Sequence, residues 1–408
     1  MILPPGSLGF VVLLGALTAL NALAIDMSLP ALPELERVFA AGPGAVQWTL
    51  SGFLMGFAAG QLFCGPLADR HGRRPLLLAG LGIFSLAGVG CAASPDLGWL
   101  VTGRFLQGVG ACVGPILGRA IVRDLFDRHR AARMMSHMTV VMSVAPLLAP
   151  ILGGYLLGLV GWRAIFLSLG AAGIVILGAV ALCLDESLAR PDPHALRLGR
   201  LLGNYRLFFR SRSALGFAVV SGLLLCGLFV YISGAPFVYI EVFGLRSDQF
   251  GYFFAIPAIS LVGGGLANAA LLRHWDGERL LQYGLLLVVG AGAAVVAAAL
   301  CGAGVWGVAL PVTLYVFGLG LITPNAMAAA MEPHPGMAGV ISSLIGCLQM
   351  AGAALASWIA STFYDHTALP MAIGVLGPSA AAFAGYHMFV RNRPGRNFSP
   401  AAASSGMR

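Results

Sequence analysis

The chain contains no lysine; its 24 basic side chains are all arginine, set against 16 acidic ones for a net charge of +8. Charge of either sign is scarce, at 10% of 408 residues, where a soluble chain carries about a quarter. That shortage excludes an ordinary water-soluble domain. No Walker loop is present, which excludes direct use of ATP. No G-x-S-x-G elbow, H-E-x-x-H pair or histidine cluster at metal-ligand spacing occurs either, so neither an enzyme nor a cofactor or metal site is expected. There is no C-x-x-C; the seven cysteines (Cys64, Cys91, Cys112, Cys183, Cys226, Cys301, Cys347) fall in or at the ends of apolar runs and read as small packing residues. No polar stretch is long enough to form a large soluble domain.

What the chain does have is apolar length. It is 58% hydrophobic with 56 glycines, and its mean hydropathy is +0.87. Runs near 20 residues recur, each able to cross a hydrocarbon core of about 30 Å. Twelve spans are expected, roughly at 8–31, 46–66, 76–93, 98–119, 134–157, 164–184, 213–238, 249–271, 280–300, 306–329, 338–361 and 368–390. The fold class is therefore an all-α membrane protein. Glycine and proline do not oppose this, because neighbouring helices in a bundle can satisfy freed backbone groups.

Arginine gives the orientation. Arg37, Arg163 and Arg246 lie on one side of these spans, Arg104 falls inside one, and the remaining twenty lie on the other side. The positive-inside rule puts both termini in the cytoplasm. The net charge is then a topology signal, and no nucleic-acid partner is expected. Ala22-Leu23-Ala24 looks like a signal-peptidase site, but the first seven residues carry no basic side chain and the apolar run is long, so an uncleaved first span is expected.

The longest polar stretch, 185–212, leaves six spans before it and six after. We expect an N-terminal six-helix bundle over 1–184, a cytoplasmic loop over 185–212 and a C-terminal six-helix bundle over 213–408. Weak self-similarity supports duplication: a span opened by Gln47 ends in Asp69-Arg70-His71-Gly72-Arg73, and one opened by Gln249 ends near Arg273-His274-Trp275-Asp276-Gly277. Paired bundles of this kind work by rocking about a central site.

Only two ionisable residues lie well inside the spans, Asp26 and Arg104. Each costs about 2.5–3.5 kcal/mol at the bilayer centre, so each needs a partner or a wet cavity. Both lie roughly 8–9 Å in from the same surface, which makes an ion pair the expectation. One reading is a strut between helices; the other is a carboxylate that takes up and releases a proton.

Three further patterns carry chemistry. At 65–75, GPLADRHGRRP loads a tight connection with three arginines and one aspartate, and Gly65 and Gly72 would let the chain reverse without a Cβ clash. In the fifth span Pro146 and Pro150 each remove a backbone bond, while Gly153 and Gly154 permit close helix approach. Gly110, Gly114 and Gly118 in the fourth read as a packing seam.

The 65–75 pattern resembles the signature loop of the major facilitator superfamily. AIDMSLPALP at 24–33 resembles the first-helix signature of its Bcr/CflA drug-efflux subfamily. RFLQG at 104–108, RAIVRD at 119–124, APLLAPILGG at 145–154 and GWRAIF at 161–166 are similar to that subfamily too. So are SGAPFVYIE at 233–241, QFGYFFA at 249–255, NAMA at 325–328 and PGMAG at 335–339. The resemblance implies a latch in which Asp69, Arg70 and Arg73 form a charge network with Asp124, and Asp69 faces the start of helix 11 near Gly339. It associates the Pro146, Pro150, Gly153, Gly154 motif with exporters, although Ala149 stands where the usual glycine would precede Pro150. It places Asn21, Met142, Tyr231, Tyr252, Tyr315, Asn325 and Gln349 beside the substrate cavity.

The function expected is a proton-coupled antiporter that exports small amphiphilic drugs or antibiotics across a bacterial inner membrane, with Asp26 coupling and Arg104 tuning it. Its partners would be the drug, protons and the lipid bilayer, with the protein acting as a monomer. An exporter of a metabolite such as an amino acid or sugar, and a non-transporting sensor, are the alternatives.

Overall fold

A computed structural model describes residues 3–331 and 338–391. Helices α1 (Leu8–Asp26), α2 (Leu32–Phe39), α3 (Pro43–Val46), α4 (Trp48–His71) and α5 (Arg73–Ala92) are followed by α6 (Leu97–Ala111), α7 (Val113–Leu125), α8 (Arg128–Val160) and α9 (Trp162–Cys183). After α10 (Leu198–Arg210) come α11 (Arg212–Pro236), α12 (Ser247–Leu271), α13 (Gly277–Leu300), α14 (Gly304–Met331), α15 (Ala338–Thr362) and α16 (Leu369–Gly385). A 3-10 turn, Leu29–Ala31, joins α1 to α2, and π-helical turns follow α11 at Phe237–Val242 and α16 at Tyr386–Arg391. Twelve of the resulting segments are long and apolar enough to cross a membrane.

Short polar side chains fix several helix starts. Ser7 accepts from Phe10 N at 3.3 Å, Asp96 from Trp99 N at 2.8 Å and Asp276 from Arg279 N at 2.8 Å. Asp127 accepts from His129 N and Arg130 N at 3.1 and 3.0 Å, opening α8. With 33 residues, α8 runs about 50 Å and so projects beyond a hydrocarbon core of about 30 Å at its arginine-rich end.

Helices of the first half pack mainly on one another, as do those of the second, and the two sets meet along α8 with α12 and α4 with α15. Glycine lets the fourth span sit at the centre of its set. Gly108 faces the Phe53 carbonyl of α4, Gly110 the Gly80 carbonyl of α5 and Gly114 the Leu17 carbonyl of α1, each without room for a Cβ. Tertiary packing on three sides thus depends on small residues on more than one face of this span.

The fourth span, Leu97–Leu125, carries a turn at Cys112 between α6 and α7. One expectation is corrected. The connection at 65–75 is no loop of about ten residues: α4 continues helically through Gly65 to His71, and the chain reverses at Gly72 alone. Gly72 has φ +98, the left-handed region that favours glycine. Gly65 has no atom within 4 Å of where a Cβ would stand, so the turn does not use it.

Candidate functional site

Asp26 is the last residue of α1, and its side chain is buried at 5% exposure. Arg104, on α6, is 1% exposed. The expected ion pair between them is absent. Arg104 Nε donates to Thr49 O at 3.1 Å, Nη1 to Gln107 Oε1 at 2.6 Å, and Nη2 to Ala24 O at 3.0 Å and Ser28 Oγ at 3.4 Å. Its guanidinium carbon also lies 4.5 Å from the Phe53 ring centroid and 5.7 Å from that of Phe166.

The physical reason is angular. Equal depth places both residues at one level, but residues two apart on a helix point to different faces. Arg104 addresses the Ala24 carbonyl in the last turn of α1, where the helix end is negative. Asp26 points elsewhere. The cation is satisfied by carbonyls, an amide, a hydroxyl and ring faces, and Asp26 is left without an ion pair among the described residues.

Three of the seven expected cavity residues are occupied in packing within the second half. Tyr315 is fully buried, donates to Leu224 O at 3.1 Å and accepts from Ser379 Oγ at 3.3 Å. Asn325 Nδ2 donates to Asn268 Oδ1 at 2.7 Å and Leu321 O at 2.8 Å, tying α14 to α12. Tyr231 is 1% exposed and stacks on Phe254 with ring centroids 5.9 Å apart. Tyr252 is 52% exposed, its hydroxyl 3.1 Å from that of Tyr155 across the α8–α12 seam. Asn21, Met142 and Gln349 are half-buried, and Asn21 Oδ1 has no hydrogen-bond partner. A groove of about 490 Å³ between α11, α15 and α16 contains none of the seven.

The α8 motif lies on the seam between halves. Gly153 faces the Met27 carbonyl just past α1, and Gly154 faces the Ser247 carbonyl at the start of α12, neither with room for a Cβ. Ala149 is fully buried. Pro146 and Pro150 sit within the continuous helix. Trp48 and Trp358 meet at 5.4 Å, and Ser51 Oγ donates to Ala354 O at 2.9 Å, closing the α4–α15 side at the same arginine-poor end.

At the arginine-rich end Arg73 joins Asp69 at 2.6 Å and Asp124 at 3.1 Å. Arg70 is exposed. The helix-11 motif at 335–339 falls partly outside the described residues, and the expected approach of Asp69 to Gly339 falls with it. The structure adds Glu186, which the sequence reading missed. Its two carboxylate oxygens accept from Arg73 N at 2.9 Å and Arg74 N at 3.1 Å, capping α5 from more than 100 residues away. Ser187 Oγ donates to Asp124 at 3.2 Å and Asp192 N donates to Asp69 O at 2.8 Å. Tyr205 on α10 donates to Leu62 O at 3.2 Å, and burial pushes its phenol up from the ordinary value. The available signal was an acidic pair, Asp185-Glu186, opening an arginine-rich stretch.

A Cβ at Gly72 would stand 2.5 Å from Glu186 Oε2. Gly72→Ala is therefore expected to destabilise by about 1–3 kcal/mol, read as a lower unfolding midpoint in detergent. Glu186→Ala, which leaves two helix N–H groups uncapped at an exposed end, should cost about 1 kcal/mol in the same measurement.

The sequence profile of the Major Facilitator Superfamily matches residues 14–399. The chain is 33% identical to the bicyclomycin resistance protein homolog of Haemophilus influenzae, over 89% of this chain and 91% of that one. It is 29% identical to multidrug resistance protein D of Escherichia coli, over 85% and 86% respectively. Among solved structures it is similar in fold to the xylose transporter XylE from E. coli in a partially occluded inward-open conformation, with TM-score 0.74, 16% identity, and 94% and 97% of the two chains covered.

Proposed function

The chain belongs to the major facilitator superfamily, and from that premise we propose that it exports small amphiphilic drugs or antibiotics across a bacterial inner membrane in exchange for protons. The observation that carries the reading is Asp26, a buried carboxyl at the seam of the two halves with no ion pair among the described residues. Such a group is free to titrate as the protein changes shape, because no fixed cation holds it ionised. Relatives that share most of the chain's length bear resistance names, which supports a drug as cargo.

In this reading 1–184 and 213–408 rock against each other about the 185–212 segment, with both termini cytoplasmic as the arginines indicate. Drug and proton favour opposite states, so each expels the other. A membrane potential supplies about 2.3 kcal/mol per charge per 100 mV. Arg73, with Asp69, Asp124 and Glu186, forms a cytoplasmic cluster that braces the first half as a unit, and Gly153 and Gly154 hold the opposite end shut. Arg104 shapes the end of α1 and does not neutralise Asp26. The protein acts as a monomer without a catalytic centre.

The test is a susceptibility panel on cells with and without the protein, paired with inside-out vesicles under an imposed pH gradient. Added drug should release protons and raise resistance. Proton release by amino acids or sugars alone would replace the drug with a metabolite, and no flux with any compound would remove transport.

A further inference from the structure

The turn that follows Asp26 packs on α11 and α12 of the second half, and α11 carries Tyr231. We propose that Tyr231 and Tyr239 are the hydrogen-bond donors for the ionised Asp26 carboxylate, forming a polar relay across the seam through which the second half senses whether the carboxyl holds a proton. The proposal rests on the reading of Asp26 as the coupling group and adds the residues that read it.

Burial is the first ground. Tyr231 and Tyr239 are 1% and 0% exposed, yet neither hydroxyl has a hydrogen-bond partner among the described residues. A buried hydroxyl left this way costs about 1–3 kcal/mol, and two side by side in one native structure require an explanation. The two hydroxyls lie close enough to interact with each other, and Tyr231 is within electrostatic reach of Asp26. The turn after Asp26, Leu29–Ala31, packs on both α11 and α12, which brings the end of α1 to this place.

Backbone geometry is the second. In an unbroken α-helix two residues eight apart are separated by about 80° around the axis. The π turn Phe237–Val242 contains Tyr239, and its wider turn takes up about one extra residue, bringing the two rings to within about 20° of one line. Pi-helical insertions are frequent where a side chain must be re-aimed.

Third, several charged and titratable groups on the surrounding elements are turned to other partners, while Glu36 on α2 keeps one buried carboxylate oxygen without a partner among the described residues and lies near Glu241, His366 and Arg37. Arg104 on α6 is held by Thr49, Gln107, Ala24 and Ser28. Tyr155 on α8 meets Tyr252 on α12, and Asp248 on α12 pairs with Arg246. Arg163 on α9 lies over Trp162, and Glu241 in the π turn accepts from Tyr364. The basic residues of α8 lie in its arginine-rich first turns, and on α7 Asp124 pairs with Arg73.

Both phenols stay neutral throughout. The ionised carboxylate draws the Tyr231 hydroxyl to itself, with Tyr239 donating to Tyr231. A proton arriving from water on Asp26 removes the acceptor charge, and Tyr231 turns back toward Tyr239. Tyr231 and Tyr239 are positioning residues in this scheme.

The experiment uses the full chain in lipid nanodiscs. The infrared band of the protonated Asp26 carboxyl is assigned by its loss in Asp26→Asn and then titrated. Tyr231→Phe keeps the ring that stacks on Phe254 and removes only the donor, so the half-titration pH should rise by about one unit, a tenfold change. Tyr239→Phe should shift it in the same direction by less, and the double variant by less than the sum. Unfolding midpoints equal to wild type confirm that fold is retained. Midpoints for both single variants unchanged within error overturn the relay. If vesicles show drug-driven antiport while the titration does not move, the relay alone fails. If the titration moves but no vesicle flux is seen, the relay stands and the transport reading fails.

Discussion

Asp26→Asn should abolish drug-driven proton release in inside-out vesicles, reducing it to the level of vesicles without the protein, while drug binding stays within about threefold of wild type, roughly 0.7 kcal/mol. An amide has the size of the carboxyl but cannot gain or lose a proton in the accessible range. Asp26 makes no ion pair among the described residues, so the substitution breaks no strong contact and the unfolding midpoint should hold. Asp26→Glu keeps the titratable group and should retain part of the flux. Full proton release from the asparagine variant would remove Asp26 from the coupling machinery.

Arg104→Ala should have the opposite profile, with a fall in stability of about 3–5 kcal/mol before any effect on coupling is read. Its removal takes a second donor from the helix carbonyls of Thr49 and Ala24 and leaves the Gln107 amide oxygen without its donor, the last costing about 1–3 kcal/mol when buried and unsatisfied. It also opens a void between Phe53 and Phe166. Some of that loss is offset because a cation no longer has to be desolvated. Arg104→Lys keeps the charge but lacks the planar fork that reaches α1 and α4 together, so it should recover little. The decisive measurement is the cycle with Asp26→Asn. Were the two an ion pair, removing both would restore stability; with Arg104 satisfied by backbone, the double variant should be as unstable as Arg104→Ala alone.

The twelve spans were legible because apolar length is a one-dimensional property; the contacts of Arg73 with Asp69 and Asp124 were expected only through the resemblance, and the Arg70 expected with them is exposed. Depth along a helix is legible too, and it put Asp26 and Arg104 at one level. Azimuth is not. It depends on where α1 ends, and it sends Arg104 to the Ala24 carbonyl and leaves Asp26 to another neighbour. The same limit applies to Tyr315 and Asn325, whose polar atoms suggest a cavity until their partners Leu224 and Asn268 are seen. Glu186 was hidden for another reason: a cap supplied from beyond α9 leaves no local pattern at Gly72. In the second half the equivalent helix α13 is capped by its own Asp276, which the residues do reveal.

The strand of chain between the halves also reads differently once its attachments are counted together. Glu186, Ser187, Asp192 and Tyr205 each bind a group belonging to the first six spans. The segment's opening part is fastened to the N-terminal side, while α10 also packs on α11 and α15 of the second half, and Ser211 takes extended backbone between α10 and α11. Any tilting of one half against the other would therefore have to be taken up inside a segment held from both sides, which ends at the root of the helix that bears Tyr231.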